Sequence, residues 1–330
     1  MNPHLSRRQI LAAAAGSTLV AASGSALAQT SAYPNRPIKI IMPWAAGGGG
    51  DVLVRAMTPS IAQRLGQPVV VDNRPGAIGT IGSQVVARSA PDGYTLVYGT
   101  ADSHSIAPHI LKSVPFDSRK DFTAVAPIGF TPLALIVHAS HPAKNFSQFL
   151  QMAKQAKQPL SYGSWGQGSS GQITMEALKQ KAKVDLLHAP YNGTAPLMQG
   201  TLANQLDCAI IPVLVADQHV KAGTVRMLAI TARERLSAFP DVPLMKEMGV
   251  EIDMGPWLGF LAPTGTPTEI VDKLNAAITA SIAEPQVAEV MKKMTMVIDR
   301  MSPAEYQKFV QSEYERWGVY IRTAAISIDA

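Results

Sequence analysis

Ile40-Ile41-Met42-Pro43-Trp44-Ala45-Ala46-Gly47-Gly48-Gly49-Gly50-Asp51 is the stretch from which the rest of the chain can be read. The run 38–42 is apolar and β-branched, the pattern of a strand buried on both faces of a parallel sheet. Pro43 has no N–H with which to extend a ladder, and four glycines let the backbone turn tightly and come close to a ligand. Asp51 is placed to cap a helix over 52–65. Strand, glycine loop and helix start are the setting in which open α/β sheets bind ligands, beyond the carboxyl ends of their strands. A plain βα turn would use the same residues, so a site requires partner loops elsewhere.

Working outward, strand and helix patterns alternate, which predicts an α/β fold with mainly parallel sheets. A second strand at 69–72 leaves through the glycine-punctuated 73–79 into a helix over 80–89, and a third strand covers 94–99. The exit of that third strand, 100–105, is polar and carries Asp102, Ser103 and His104. Three strands thus end in loops able to line one crevice. The character changes at Phe130-Thr131-Pro132. Beyond it lie an apolar run at 133–137, a helix over 146–157 and a second strand, glycine loop and helix start over 160–172. Strands at 184–187, 206–211 and 225–231 alternate with helices at 195–202 and 213–221, so this block reads as a second lobe with its own sheet. A strand over 257–262 returns to the first lobe. Thr266-Pro267-Thr268-Glu269 and Ser302-Pro303-Ala304-Glu305 read as capping boxes with proline at the first helical position, opening two final helices.

The N-terminus has the grammar of an export signal. Ser6-Arg7-Arg8 precedes a short apolar run and then Ala26-Leu27-Ala28, an A-x-A cleavage pattern. The paired arginines fit the twin-arginine route, and the short apolar run fits the general secretory route equally. The run falls short of the roughly 20 residues a spanning helix needs. Cleavage near Ala28 leaves 302 of the 330 residues and lowers the formal charge from +5 to +3 by removing Arg7 and Arg8. A chain of that length favours two lobes. The absence of basic runs argues against a nucleic-acid partner. Cys208 is the single cysteine, so no intrachain disulfide is possible; in its apolar run it reads as a buried, inert thiol.

The motifs point to binding rather than chemistry. Gly166-x-Gly168-x-x-Gly171 matches the dinucleotide fingerprint, yet no acidic residue about 20 positions on is placed to hold a ribose. What survives is a helix N-terminus flanked by Ser164, Ser169 and Ser170, suited to a carboxylate, although serines that merely cap the helix would look the same. No nucleophile elbow surrounds Ser164, since Tyr162 stands where its first glycine belongs. The histidine pairs lack carboxylates at zinc-ligand spacing. No metal or cofactor is expected.

Pro43-Trp44-Ala45-Ala46-Gly47-Gly48, Asp72-Asn73-Arg74-Pro75-Gly76, Pro91-Asp92-Gly93-Tyr94, Ala189-Pro190-Tyr191-Asn192-Gly193, Phe239-Pro240-Asp241-Val242-Pro243 and Ala262-Pro263-Thr264-Gly265-Thr266-Pro267 occur in this order. Together they resemble the Bug family of periplasmic solute receptors for tripartite tricarboxylate transporters, over essentially all of the mature chain. The resemblance implies a two-lobed, type II periplasmic-binding-protein fold with the ligand cleft between lobes. Its implied divisions are a signal at 1–28, a first lobe at 29–131 and 254–330, and a second lobe at 132–253. It also implies a small carboxylate ligand, membrane transporter subunits as partners, a monomer and no enzymatic activity. The alternatives are a ligand-sensing partner of a membrane kinase and an exported hydrolase. Carried over residue by residue, the ligand is held by Trp44, Ala45, Ala46, Gly47 and Gly48 of the first loop. Ser164, Gly168, Ser169, Ser170 and Gln172 face it from the second, with Asn192, Asp102, Ser103 and His104 completing the walls. Gln172 and Asn192 stand where the family often has His and Lys, and Trp44 where Phe or Tyr is usual. These departures disfavour citrate. They favour one carboxylate with an uncharged or amine-bearing far end, or an aromatic acid near Trp44.

Overall fold

The structure, a computed structural model, describes residues 33–232, 234–250, 252, 255–294, 296–298 and 300–324. The signal over 1–28 lies outside the described residues. The described residues from 36 to 324 form one compact unit built on two five-stranded sheets.

In the first sheet, β1 (Ile38–Met42) lies between β2 (Val69–Asn73) and β3 (Thr95–Thr100), parallel to both. β10 (Trp257–Pro263) then runs antiparallel between β3 and β4 (Phe122–Phe130). The second sheet has the order β7-β6-β8-β5-β9. In it β6 (Leu160–Ser164) pairs in parallel with β7 (Leu186–Pro190) and β8 (Cys208–Pro212). β5 (Leu133–His138) is antiparallel to both β8 and β9 (Val225–Thr231).

The sheets are therefore mixed rather than mainly parallel. β5 and β10 are each entered from the other sheet, so neither has the helical crossover within its own sheet that parallel pairing demands. Strand β4, interrupted by Pro127 and Gly129, has no clean period and escapes sequence reading. So does the short helix α8 (Pro285–Lys293).

Helix α1 (Gly49–Leu65) begins three residues before its expected start. Gly48 is its N-cap, which places Asp51 inside the first turn instead of at the cap. Gly66, with φ 71°, closes it in the left-handed conformation that glycine adopts without strain. Helix α2 (Thr80–Ala87) follows β2. At the other end of the chain the Ser302–Glu305 box forms as expected, with Ser302 N donating to Glu305 Oε2 at 2.8 Å and Glu305 N to Ser302 Oγ at 3.3 Å. It opens α9 (Pro303–Ala324), whose Tyr306 and Trp317 are fully buried and which packs on β4. The Thr266–Glu269 box does not form. The Thr266 hydroxyl turns back to the Pro263 carbonyl at 2.7 Å, and Pro267 becomes the N-cap of α7 (Thr268–Ile282), which packs on α1.

The two passages between sheets lie side by side. Thr131 N donates to the Pro256 carbonyl at 3.1 Å, and a Cβ on Gly255 would collide with the Thr131 carbonyl. Asp253 and Met254, part of the expected second passage, lie outside the described residues. One continuous apolar core joins residues of both sheets, from Ile41 and Val97 to Leu135 and Tyr162. Cys208 is buried as expected, and burial raises its thiol well above the ordinary range.

Candidate functional site

The loop after β1 is held in shape by a buried network. Asp51 Oδ2 accepts from Gly47 N at 2.9 Å and Arg55 Nε at 3.0 Å. Asn73 Nδ2 reaches both Asp51 Oδ1 at 2.9 Å and the Trp44 carbonyl at 3.1 Å. The Arg55 hydrogen bond dominates over burial and lowers the Asp51 carboxyl to about 2. Asp51 is therefore a brace for the glycine loop, and Asn73 is a second one that the sequence reading did not single out. The loop itself, residues 45–49, is exposed. Gly48 offers no side-chain cap, and the N–H groups of Ala46, Gly48 and Gly49 meet no acceptor among the described residues. Free N–H groups at the positive end of a 17-residue helix favour an anion.

The exit of β3 is helical rather than a loop. Residues Asp102–Ile106 form a single π-turn, closed by Ala107 N donating to the Asp102 carbonyl, and run into a helical turn at Ala107–Ile110. Such turns recur at functional sites. The wider turn sends its side chains in different directions. His104, expected on the cleft wall, is fully buried, its ring packed among Phe116, Phe122 and Trp257. Its Nδ1 lies 2.8 Å from Ser103 Oγ, and desolvation lowers its pKa to about 3, so it is a neutral core residue. Ser103 is buried too, bonded back to Thr100. Asp102 alone of the three stays partly exposed. Gly79, at φ +83°, is the point where Pro43, Trp44 and Ser103 meet.

The loop after β6 satisfies itself. Ser169 Oγ accepts from Gln172 N at 3.3 Å and donates to the Gly166 carbonyl at 2.7 Å. Gln172 Oε1 accepts from Gly168 N at 2.6 Å. Ser170 N, the first donor of α4 (Ser170–Ala182), donates at 3.0 Å to Asp102 Oδ1, which comes from the first sheet. The N–H groups expected to be free for a ligand here are thus largely occupied by the protein's own oxygens. Beside them the Ser170 hydroxyl is fully buried and has no hydrogen-bond partner. Burial pushes the Asp102 carboxyl up to about 6, opposed by the neighbouring hydroxyl and N–H of Ser170. The loop after β7 closes the group: Tyr191 N donates to the Ser164 carbonyl and Gly193 N to the Trp165 carbonyl, leaving Asn192 exposed alongside.

The structure thus gathers Trp44, the glycine loop, Asp102, residues 164–172 and Asn192 at the carboxyl ends of β1, β3, β6 and β7, and leaves His104 in the core. A serine–histidine contact not foreseen from the sequence, Ser164 Oγ to His188 Nε2 at 2.7 Å, pins β6 to β7. Tyr162 stacks on that ring. Among the described residues no carboxylate orients His188, and no group of His, Cys, Asp and Glu side chains could hold a metal.

Residues 53–326 match the family described as the tripartite tricarboxylate transporter family receptor. A UPF0065 protein of Bordetella pertussis is 33% identical over 306 residues, 92% of this chain and 94% of its own length. The solved structure of the periplasmic binding protein BugD shares 31% identity with a TM-score of 0.75, covering 89% of this chain and 99% of that one. A protein of R. palustris solved with adipate shares 30% identity with a TM-score of 0.79, covering 89% and 99%. With its two-sheet periplasmic-binding-protein fold and its converging strand exits, this chain belongs to the tripartite tricarboxylate transporter receptors of the Bug type.

Proposed function

We propose that the chain is an exported solute receptor that takes up a small carboxylate-bearing ligand between its two lobes and presents it to membrane transporter subunits. The observation that carries this reading is the uncapped start of α1, where three backbone N–H groups stand free in an exposed glycine loop. Backbone donors in such a loop bind a carboxylate without a dedicated arginine. The adipate bound by the R. palustris relative supports the same ligand chemistry. The lobe divisions at 131/132 and 253/254 are supported by the two separate sheets, and the residues at these divisions form the hinge. No helix among the described residues is long and apolar enough to cross a membrane, so delivery falls to separate subunits. The chain does no chemistry on its ligand in this reading.

A thermal-shift screen of the mature protein against a carboxylate library tests it. A ligand that binds only the native state stabilises it by RT ln(1 + [L]/Kd), about 2.7 kcal/mol at a hundredfold excess over Kd. At least one carboxylate should raise the melting temperature in a saturable way. A flat response across mono-, di- and tricarboxylates, with and without amino groups, would refute the reading.

A further inference from the structure

Asp102 is a carboxylate between two lobes with one oxygen spoken for and one free. Its Oδ1 accepts from Ser170 N, while Oδ2 receives no hydrogen bond from the described residues. No lysine or arginine among the described residues pairs with it. The nearby strand exits, residues 44–48, 164–172 and 191–193, contain no charged side chain at all. Arg74 on the β2 exit is engaged by Asp72 at 3.1 Å, Arg55 is engaged by Asp51, and the adjacent His104 is buried and neutral. The Ser170 hydroxyl beside Asp102 is a buried group without a partner. The site thus holds a carboxylate with no cation beside it and a buried hydroxyl at one end, and N–H donors that meet no acceptor among the described residues at the other.

We propose that the ligand carries an ammonium group as well as a carboxylate. The ammonium lies on Asp102 Oδ2 and the Ser170 hydroxyl, and the carboxylate on the N–H groups at the start of α1. Asp102 is then the residue that selects amino acids over plain organic acids. The chemistry matches on both sides. An ammonium offers three donors and a positive charge, which satisfy the free carboxylate oxygen and the hydroxyl together. A second carboxylate placed there would face Asp102 as a like charge. This inference rests on the receptor reading above, narrowing its ligand class.

Calorimetry with matched pairs that differ only in the amino group provides the test: aspartate against succinate, glutamate against glutarate, and phenylalanine against 3-phenylpropionate. In the wild-type protein at least one ammonium-bearing member should bind about tenfold or more tightly than its partner. Asp102→Asn and Asp102→Ser, the second keeping an oxygen for Ser170 N, should abolish that preference, and Asp102→Glu should restore part of it. Binding of the desamino acids as tight as that of the amino acids in the wild type would overturn the inference while leaving the receptor reading intact. So would an unchanged ratio in both neutral variants. If no member of any pair bound while another carboxylate of the library did, this inference would fall and the receptor reading would stand.

Discussion

Two residues of the π-turn, Asp102 and His104, are shifted in opposite senses. The folded protein holds His104 at about 3 against an ordinary 6.5, so the unfolded chain binds its proton more readily below pH 6.5. Stability contributed by the neutral ring is complete above pH 6.5 and is lost as pH falls toward 3. Asp102, raised from 3.8 to about 6, has the reverse sign: between these values the folded protein binds the extra proton, so its contribution falls as pH rises. His104→Phe keeps a ring among Phe116, Phe122 and Trp257 and removes the titration. Its deficit relative to wild type at pH 7.5, from the lost contact with Ser103, should shrink or invert at pH 4.5. Melting curves of both proteins across that range check this; a deficit independent of pH would show that His104 is not held neutral by burial. Asp51 offers a contrasting case. Asp51→Ala removes the acceptor for Gly47 N, Arg55 and Asn73, and should cost about 1–3 kcal/mol of stability while loosening the loop. Urea unfolding gives the first number, and binding of any ligand found in the screen gives the second.

At the scale of elements, glycines mark where backbones touch. Gly129 in β4 lies at φ +145°, and a Cβ there would strike the Val297 carbonyl, next to the pairing of Phe130 with Val297. Gly129→Ala should therefore cost about 1–3 kcal/mol, from strain at one backbone position, in urea unfolding. Gly82 in α2 presses on Pro43 and the Arg74 carbonyl. Gly82→Val should push α2 off the loop after β1 and weaken every ligand alike, which calorimetry on the same panel would read as a uniform fall. Much of this scaffold is legible in the sequence, for a physical reason. Strands buried over most of their length, such as β5 and, but for the exposed Lys39, β1, are nearly continuous apolar runs, and the Ser302 box writes its own start. What stays hidden depends on partners remote in sequence. Whether Thr266 caps α7 or bonds to Pro263 is settled by a competing carbonyl, and β4 is defined by β10, some 130 residues away. The direction of a side chain on 102–106 turns on one extra residue per turn. An α-helical reading puts Asp102 and His104 on different faces without saying which is inside; the neighbouring phenylalanines and Trp257 decide it. The glycine loops are visible as glycines, but whether their N–H groups are free or already taken is not.

At the scale of the whole chain, the second sheet leaves the first through residues 131–132 and returns through 255–256, with Thr131 and Pro256 bonded to each other. Paired passages of this kind absorb the backbone changes of hinge closure. Saturating ligand should lower the radius of gyration in solution scattering. Asp102→Ala, which removes the acceptor for Ser170 N, should raise that of the free protein. Equal radii for the free wild type and the variant would show that the bond does not hold the lobes together. The same two passages have a genealogical side. Phe130 and Trp257 are direct partners in the ladder between β4 and β10, so the first sheet closes as a hairpin whose tip has been opened to admit some 125 residues. In that sense the second lobe is a cassette with both ends at one point. Exchanging residues 131–256 between relatives would cut the chain only there, recombining one protein's Asp102 with another's Ser170 loop.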